Sequence, residues 1–542
     1  MRRRETASLT AAAALALSFA PTLMRRRARE QLAVSVASAA LGGLAGAASE
    51  LLVIRLAERL EGGEATARAV LAGAGGLAVL AELPSDPHPA VSLAGQAARV
   101  SGICALIGAV APARDAVPLD RPRTLVAVGA AGVAALAGWQ QLEKRSRPRR
   151  PRLAEYPAER RLATTASVAG GFEGSRFTGT AVAAADMRAA AIGAAAVETA
   201  EIGPDEDDRA AAEPAVFDRA AVEPDAVEPH AVEPDAVEPD AIDPIRVFVG
   251  RRAAESVHER ARIAVDELER LGAFGRRRIL VCSATLRGYV NPIPVAAEEH
   301  LSRGDVASVV VQYHDRRTLL MPAKVPIAAR THRALLEELR RRLPRAGGPE
   351  VCVYGESLGA WASQNVFRGG GVRALDEVGV SRALWIGTPY FSRLPRLLAK
   401  GELPTDARVG TIRTKELLAG DGDRAWRFVF LERRTDPVVL FSGLDLIWRR
   451  PDWLPPGRWT PGVTFVQLAF DLVAATNWTS TVPQALAHDY RLEGPLAVDL
   501  ALGHRAGRER VAALADRLVA EEVARAARLR ALRRADGYTS SH

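Results

Sequence analysis

Cysteine is scarce in this chain, with three residues, Cys104, Cys282 and Cys352, among 542. An odd count without paired spacing implies no disulfide framework and no zinc site. Cys282 and Cys352 also fall inside apolar strand-like runs, where a thiol behaves as a small hydrophobe. A concentrated basic face is missing too. The formal charge of +8 is spread over scattered clusters such as Arg340-Arg341-Arg342. That distribution argues against a nucleic-acid partner and for solvated or lipid-headgroup-facing charge. Arginines 2 to 4 precede an apolar run as in a leader, but no convincing small-x-small cleavage site precedes the arginines at 25 to 29, and further apolar segments follow. A retained first helix is expected. No metal-ligand or organic-cofactor motif is present, and none is expected to be needed.

What the chain does have is long uncharged runs. Thr6 to Met24, Gln31 to Ser49 and Thr124 to Leu142 are each 19 residues without a charge, about the length that spans a bilayer as a helix. Ala69 to Ala81 and Val91 to Ala113, the latter carrying Arg99, are weaker candidates. Residues 1–145 are therefore expected to form a transmembrane helical bundle of four or five spans, with Gly42-x-x-x-Gly46 allowing close helix approach. The basic residues flanking these runs vote both ways on orientation. The dense cluster from Lys144 to Arg152 favours a cytoplasmic position for the chain beyond residue 152.

Residues 146–244 read as a linker. Between Glu201 and Pro244 there are 15 acidic residues against Arg209 and Arg219, with seven prolines, ending in a repeat of Ala-Val-Glu-Pro-Asp type. Such a composition cannot build a core and reads as a self-repelling spacer. Arg150 to Ala200 is intermediate, with loose packing expected around Gly170 to Thr180. From Ile245 to His542 the pattern is α/β. Buried strands are expected at Ile245–Val249, Ile279–Ser283, Val306–Gln312, Ala383–Ile386 and Trp426–Leu431, alternating with amphipathic helices. That alternation implies a mostly parallel sheet covered by helices on both faces. A fragment starting near Ile245 is expected to stand without the bundle.

The most informative segment is Gly355-Glu356-Ser357-Leu358-Gly359. It comes after an apolar strand-like run and precedes a helix-like one, the setting of a nucleophile elbow in an α/β-hydrolase fold. A serine hydroxyl is a weak nucleophile until an imidazole takes its proton and an acid orients that imidazole. In the order serine, acid, histidine, Asp436 at the end of the Trp426–Leu431 strand is the leading acid, with Asp445 and Asp452 as alternatives. Three histidines come after the serine. His542 is terminal, His504 reads as a solvated imidazole opening a helix, and His488, in a polar turn, is the expected base. His314 precedes the serine and reads as a loop residue. The Leu358 N–H is expected to serve the oxyanion, with a second N–H from Thr285 or Leu286, Thr285 being preferred.

At these residues the chain resembles a family of bacterial, actinobacterial-type membrane proteins that join an amino-terminal multi-span bundle to an α/β-hydrolase domain. The matching stretches include Asp243-Pro244-Ile245-Arg246-Val247, Gly288-Tyr289-Val290-Asn291, the elbow, Ala383 to Tyr390, Arg450 to Leu454, and His488-Asp489-Tyr490-Arg491. The resemblance implies roles for Ser357 and His488, and more weakly for Asp436. The largely apolar stretch Val463 to Ala475 looks helical and departs from simpler hydrolases. Together these readings lead to a membrane-tethered serine hydrolase acting on an acyl ester or thioester, with the bilayer and a lipid-like substrate as partners. A scaffold that keeps the fold without catalysis is the alternative.

Overall fold

The computed structural model describes residues 2–18, 28–60, 161–197, 240–285, 287–314, 324–344, 346–423, 425–443, 462–475 and 488–535, with short stretches near 63–71 and 445–460. Its centre is an eight-stranded sheet: β1 (Thr165–Val168), β2 (Ile245–Val249), β3 (Arg278–Ser283), β4 (Val306–Val311), β5 (Glu350–Glu356), β6 (Val380–Ile386), β7 (Val409–Arg413) and β8 (Phe428–Glu432). The spatial order is β1-β2-β4-β3-β5-β6-β8-β7, and every pairing is parallel.

The helices, numbered along the chain, are α1 (Arg2–Leu17), α2 (Ala28–Ala57), α3 (Gly171–Gly179), α4 (Ala184–Val197), α5 (Val257–Arg270), α6 (Pro292–Leu301), α7 (Val325–Arg342), α8 (Leu358–Phe367), α9 (Val372–Glu377), α10 (Leu394–Ala399), α11 (Thr414–Ala419), α12 (Pro437–Leu440), α13 (Asp445–Trp448), α14 (Val463–Ala475), α15 (Gly494–Leu502) and α16 (Arg508–Ala535).

A parallel sheet is covered on both faces, so its strands carry continuous apolar runs rather than alternation. β2, β3 and β4 are buried along their whole length. One face packs against α5, α7 and α8 through Val265, Leu268, Leu335, Leu339 and Phe367. The other packs against α6, α15 and α16 through Ile293, Val498, Leu502 and Leu518. α5 shows how locally encoded these helices are. The Ser256 side chain accepts from the His258 N–H at its start, Ala261, Ala264, Val265 and Leu268 form its buried stripe, and Gly272 at φ 81 lies just past its end.

The expected linker, 146–244, contains structured chain at 165–197. β1 pairs with β2 in the register Thr165↔Arg246 to Val168↔Val249. α3 and α4 come next and close over the sheet end, where Phe177 and Met187 are buried. Arg246 carries this join. Its guanidinium meets Glu299 at 2.6 and 2.9 Å, donates to the Phe177 carbonyl at 2.6 Å and to the Thr180 hydroxyl at 2.8 Å, and is fully buried. The sheet unit therefore begins near residue 161 rather than at Ile245. Thr-Ala-Ser-Val is too short and polar to announce a strand, and only the β2 edge gives it a partner. β7 gives no clear strand signal for a similar reason, being an alternating edge strand with Gly410 lying under the Trp426 ring. The acidic repeat, up to residue 239, lies outside the described residues.

Among the described residues one helix, Gln31–Ala57, is long and apolar enough to cross a membrane. Of the other expected spans, Thr6 to Met24 is described only to Ser18 and Ala69 to Ala81 only to Leu71, while Val91 to Ala113 and Thr124 to Leu142 lie outside the described residues. α1 packs against α2 as a hairpin. A Cβ on Gly42 would stand 2.4 Å from the Thr10 carbonyl oxygen, so that crossing needs a glycine. Near its closed end Ser18 and Ser35 share a 2.8 Å hydroxyl contact, and Gln31 donates to the Ser18 carbonyl at 3.0 Å. α14 also packs on α2, and its Gln467 donates to the same Ser18 carbonyl at 3.1 Å.

Candidate active site

The strand order reverses around β3, with β4 to one side and β5 to the other. Crevices at such switch points, beyond the carboxyl ends of the strands, are where parallel sheets hold ligands. Ser357 sits there, between β5 and α8, at φ 56 and ψ −127. A non-glycine residue in that region is strained, and the surroundings must hold it. The Ser357 N–H donates to the Ile386 carbonyl at the end of β6, at 3.0 Å. The flanking glycines let strand and helix pass. A Cβ at Gly359 would lie 2.1 Å from the Ser283 carbonyl oxygen, and one at Gly355 would lie 2.9 Å from the Ala360 nitrogen.

Asp436 lies just past β8 and caps α12, its Oδ1 accepting from the Val438 N–H at 2.8 Å. Its Oδ2 accepts from His488 Nδ1 at 2.6 Å and from the Tyr490 hydroxyl at 2.7 Å. A carboxylate only accepts, so Nδ1 carries the proton and Nε2 is the nitrogen left to act as base. Both side chains are fully buried. Burial works to lower the His488 pKa, but the charge and hydrogen bond of Asp436, with Glu356 behind them, outweigh it and hold the imidazole above its ordinary value. His488 also meets the turn after β6: a Cβ on Gly387, at φ 56, would stand 2.5 Å from His488 Cε1. Since Ser357 is bonded to Ile386, the adjoining residue, the serine and the imidazole flank the same two-residue corner.

Tyr490 is a site residue that sequence reasoning missed, although it lies in the matching His-Asp-Tyr-Arg run. Its hydroxyl oxygen accepts from the Arg433 N–H at 3.2 Å while it donates to Asp436. The Arg433 guanidinium stands 5.0 Å over its ring and pairs with buried Glu493. Glu356, inside the elbow, is the second residue missed. Its Oε2 accepts from Asn291 Nδ2 at 3.0 Å and from the Tyr354 hydroxyl at 2.9 Å. Burial raises its pKa against the opposing effects of His488 and these two donors. Asn291 at the same time caps α6 through the Ile293 N–H. Glu356 thus ties the loop after β3 to the elbow.

That loop carries the second expected oxyanion donor, the first being the Leu358 N–H. Leu358, the first residue of α8, has no intrahelical acceptor for its N–H. The Thr285 N–H differs from expectation, because it is donated to the Tyr289 carbonyl at 2.8 Å within a small antiparallel bridge. Its hydroxyl, buried and with no hydrogen-bond partner among the described residues, is the group that remains to donate. Leu286 lies outside the described residues. Among the alternatives, Asp445 is exposed and accepts from the Tyr390 hydroxyl at 3.0 Å. Asp452 and His542 lie outside the described residues. His504 is not solvated as expected: it joins Glu298 at 2.5 Å and Arg278 at 3.1 Å in a polar cluster that fastens the end of α15 to β3. His314 lies in the loop past β4. Cys282 and Cys352 are buried, and burial raises both thiols. Among the described residues no group of three or more His, Cys, Asp or Glu is placed to hold a metal ion.

Residues 245–502 match the alpha/beta-hydrolase family. The matched span runs from β2 to the end of α15, and so covers the elbow, Asp436 and His488. The α/β-hydrolase domain of this chain thus has a parallel sheet flanked by helices, with β1 added at one edge from outside the matched span. That match points to hydrolase activity. No curated protein and no solved structure matches the chain.

Proposed function

We propose that the chain is a membrane-tethered serine hydrolase that cleaves an acyl ester or thioester. The observation that carries this reading is the buried Asp436–His488 hydrogen bond at 2.6 Å, set over the sheet edge that holds Ser357 in its strained turn. In the proposed reaction Ser357 Oγ attacks the acyl carbon while His488 Nε2 takes its proton. Asp436 keeps the imidazole in the tautomer that can do so and stabilises the cation that forms. The Leu358 N–H and the Thr285 hydroxyl donate to the oxyanion. As the tetrahedral species collapses, the bond from the acyl carbon to the leaving oxygen or sulfur breaks, and His488 returns the proton to the leaving group. Water, deprotonated by the same imidazole, then cleaves the Ser357 ester and releases the acid.

The lipid-like substrate and the tether rest on the apolar Gln31–Ala57 helix and its packing on α14. The cytoplasmic side is proposed from the basic cluster Lys144 to Arg152. A reporter pair active on opposite sides of the membrane, fused after Arg160, tests the side. A fluorophosphonate probe tests the chemistry without knowledge of the substrate. Labelling of the wild type that is lost in Ser357→Ala supports a hydrolase, whereas absence of labelling leaves the non-catalytic scaffold.

A further inference from the structure

Four aromatic rings form a connected string beside the candidate triad, and each comes from a different element at the carboxyl edge of the sheet. Trp361 lies on α8, one turn beyond Ser357, with its ring centroid 5.9 Å from that of Phe391. Phe391 is in the loop after β6, four residues past Gly387, the residue that abuts His488. Phe391 in turn stands 6.4 Å from Phe441, which ends α12 five residues after Asp436, and Phe441 stands 5.7 Å from Phe465 on α14. Phe441 is buried against Leu446 and Leu468 with Phe465 packed on it, whereas Phe391, in the middle of the string, is 43% exposed.

The far end of the string leads to the hairpin. α14 contacts α12 and α13 on one side and α2 on the other. Two residues along a helix turn by about 200°, so Phe465 and Gln467 point to opposite sides of α14. Phe465 meets Phe441, and Gln467 donates to the Ser18 carbonyl of the hairpin. α2 itself exposes Leu32 and Val36, at 67% and 58%. The aromatic string therefore runs from the elbow helix to one side of α14, and the other side of α14 packs on the helix that is apolar enough to lie in a bilayer.

We propose that this string marks the acyl-chain path of the substrate, with the carbonyl held at Ser357 and the hydrocarbon running over the exposed Phe391 ring, backed by Phe441, toward α14 and the helix α2 packed on it. The occupant is one long, unbranched acyl chain of a bilayer lipid. This deepens the serine-hydrolase reading and rests on it. Aromatic rings spaced about 6 Å apart offer an apolar surface without hydrogen-bond demands, which suits a hydrocarbon chain and gives polar headgroups nothing to bind. Each methylene withdrawn from water should contribute roughly a fourfold gain in affinity.

The test is the rate at which ethyl and dodecyl fluorophosphonates label Ser357 in the full chain, reconstituted in phosphatidylcholine vesicles and, separately, dispersed in detergent. The wild type is expected to react faster with the dodecyl probe in both. Phe391→Ala and Phe465→Ala should each lower the dodecyl-to-ethyl ratio by about tenfold, and Phe391→Leu should restore most of it. The ratio is the readout, so a general loss of activity does not imitate the effect. A wild type without dodecyl preference, or a ratio unchanged in both alanine variants, overturns the path. Preference in detergent that vanishes in vesicles overturns the bilayer source. No labelling by either probe overturns the serine-hydrolase reading itself, and this inference with it.

Discussion

Asp436 and His488, 52 positions apart in the chain, share a 2.6 Å hydrogen bond in which neither side chain touches solvent. The same carboxylate also takes the Val438 N–H and the Tyr490 hydroxyl, so three donors from two segments fix its plane. A carboxylate held in this way sets the tautomer and tilt of the imidazole before any substrate arrives.

Ser357→Ala and His488→Ala are each expected to reduce hydrolysis of a short-chain ester to near background, and the double variant should be no worse than either single one, because the pair acts as a unit. Steady-state rates beside near-ultraviolet circular dichroism check this. Full activity in folded Ser357→Ala would end the hydrolase reading.

Asp436→Asn should cost on the order of 10⁴ in kcat, through loss of the tautomer and of charge stabilisation. Tyr490→Phe keeps the ring and removes one donor to a charged acceptor, so a loss of roughly ten- to hundredfold is expected. Asp445→Asn should leave kcat within about twofold, since that carboxylate is exposed and bonded to Tyr390. A collapse of activity in Asp445→Asn with Asp436→Asn unaffected would reassign the acid.

The rate should rise with pH along an acid limb set by His488, whose raised pKa places that limb above the ordinary imidazole range. The sign comes from the neutral imidazole being the base. In Asp436→Asn the limb should move to lower pH, because the burial that lowers the pKa is then less opposed. The pairing stabilises the fold fully below the unfolded imidazole pKa, and that contribution fades as pH rises through the folded value. A limb that stays fixed in Asp436→Asn would detach the titration from this pair.

Cleavage in the acidic repeat should not separate its two sides. β1 remains hydrogen-bonded to β2, and Arg246 remains bonded to Phe177, Thr180 and Glu299. Protein nicked between 198 and 239 is expected to elute as one species in detergent. A fragment starting at Ile245 should be aggregation-prone, because an edge strand is stripped away. Arg246→Met, which leaves the buried Glu299 without a countercharge and with the Val182 N–H as its remaining donor, should cost about 3–5 kcal/mol, with partial recovery in Arg246→Met/Glu299→Leu. Denaturant midpoints decide it. Equal stability of the 161–542 and 245–542 fragments would deny β1 its role.

Much of the site is legible in the sequence because its signals are local. The elbow needs two glycines and a serine between an apolar strand and a helix, all within a dozen residues, and the chain order of the triad then narrows the acid and base to a few positions. His504 shows the limit of that reasoning. Its basic neighbours suggest solvent, while Glu298 and Arg278, more than 200 positions away, enclose it. Thr285 shows another. A donor loop is recognisable after β3, but the spending of the Thr285 N–H on Tyr289 depends on a turn that no local pattern announces.

The sequence by itself determined the parallel sheet, the strained serine, the short list of candidate acids and bases, and the helix apolar enough for a membrane, because periodicity, turn chemistry and apolar length are properties of neighbouring residues. Only the tertiary structure decided that β1 and its helices cross the acidic repeat to complete the sheet. It alone joined Asp436 to His488 and Tyr490, and seated α14 between the hairpin and α12. Those relations bring together residues tens to hundreds of positions apart, and they exist only where burial makes an unpaired charge or an open strand edge too costly to leave.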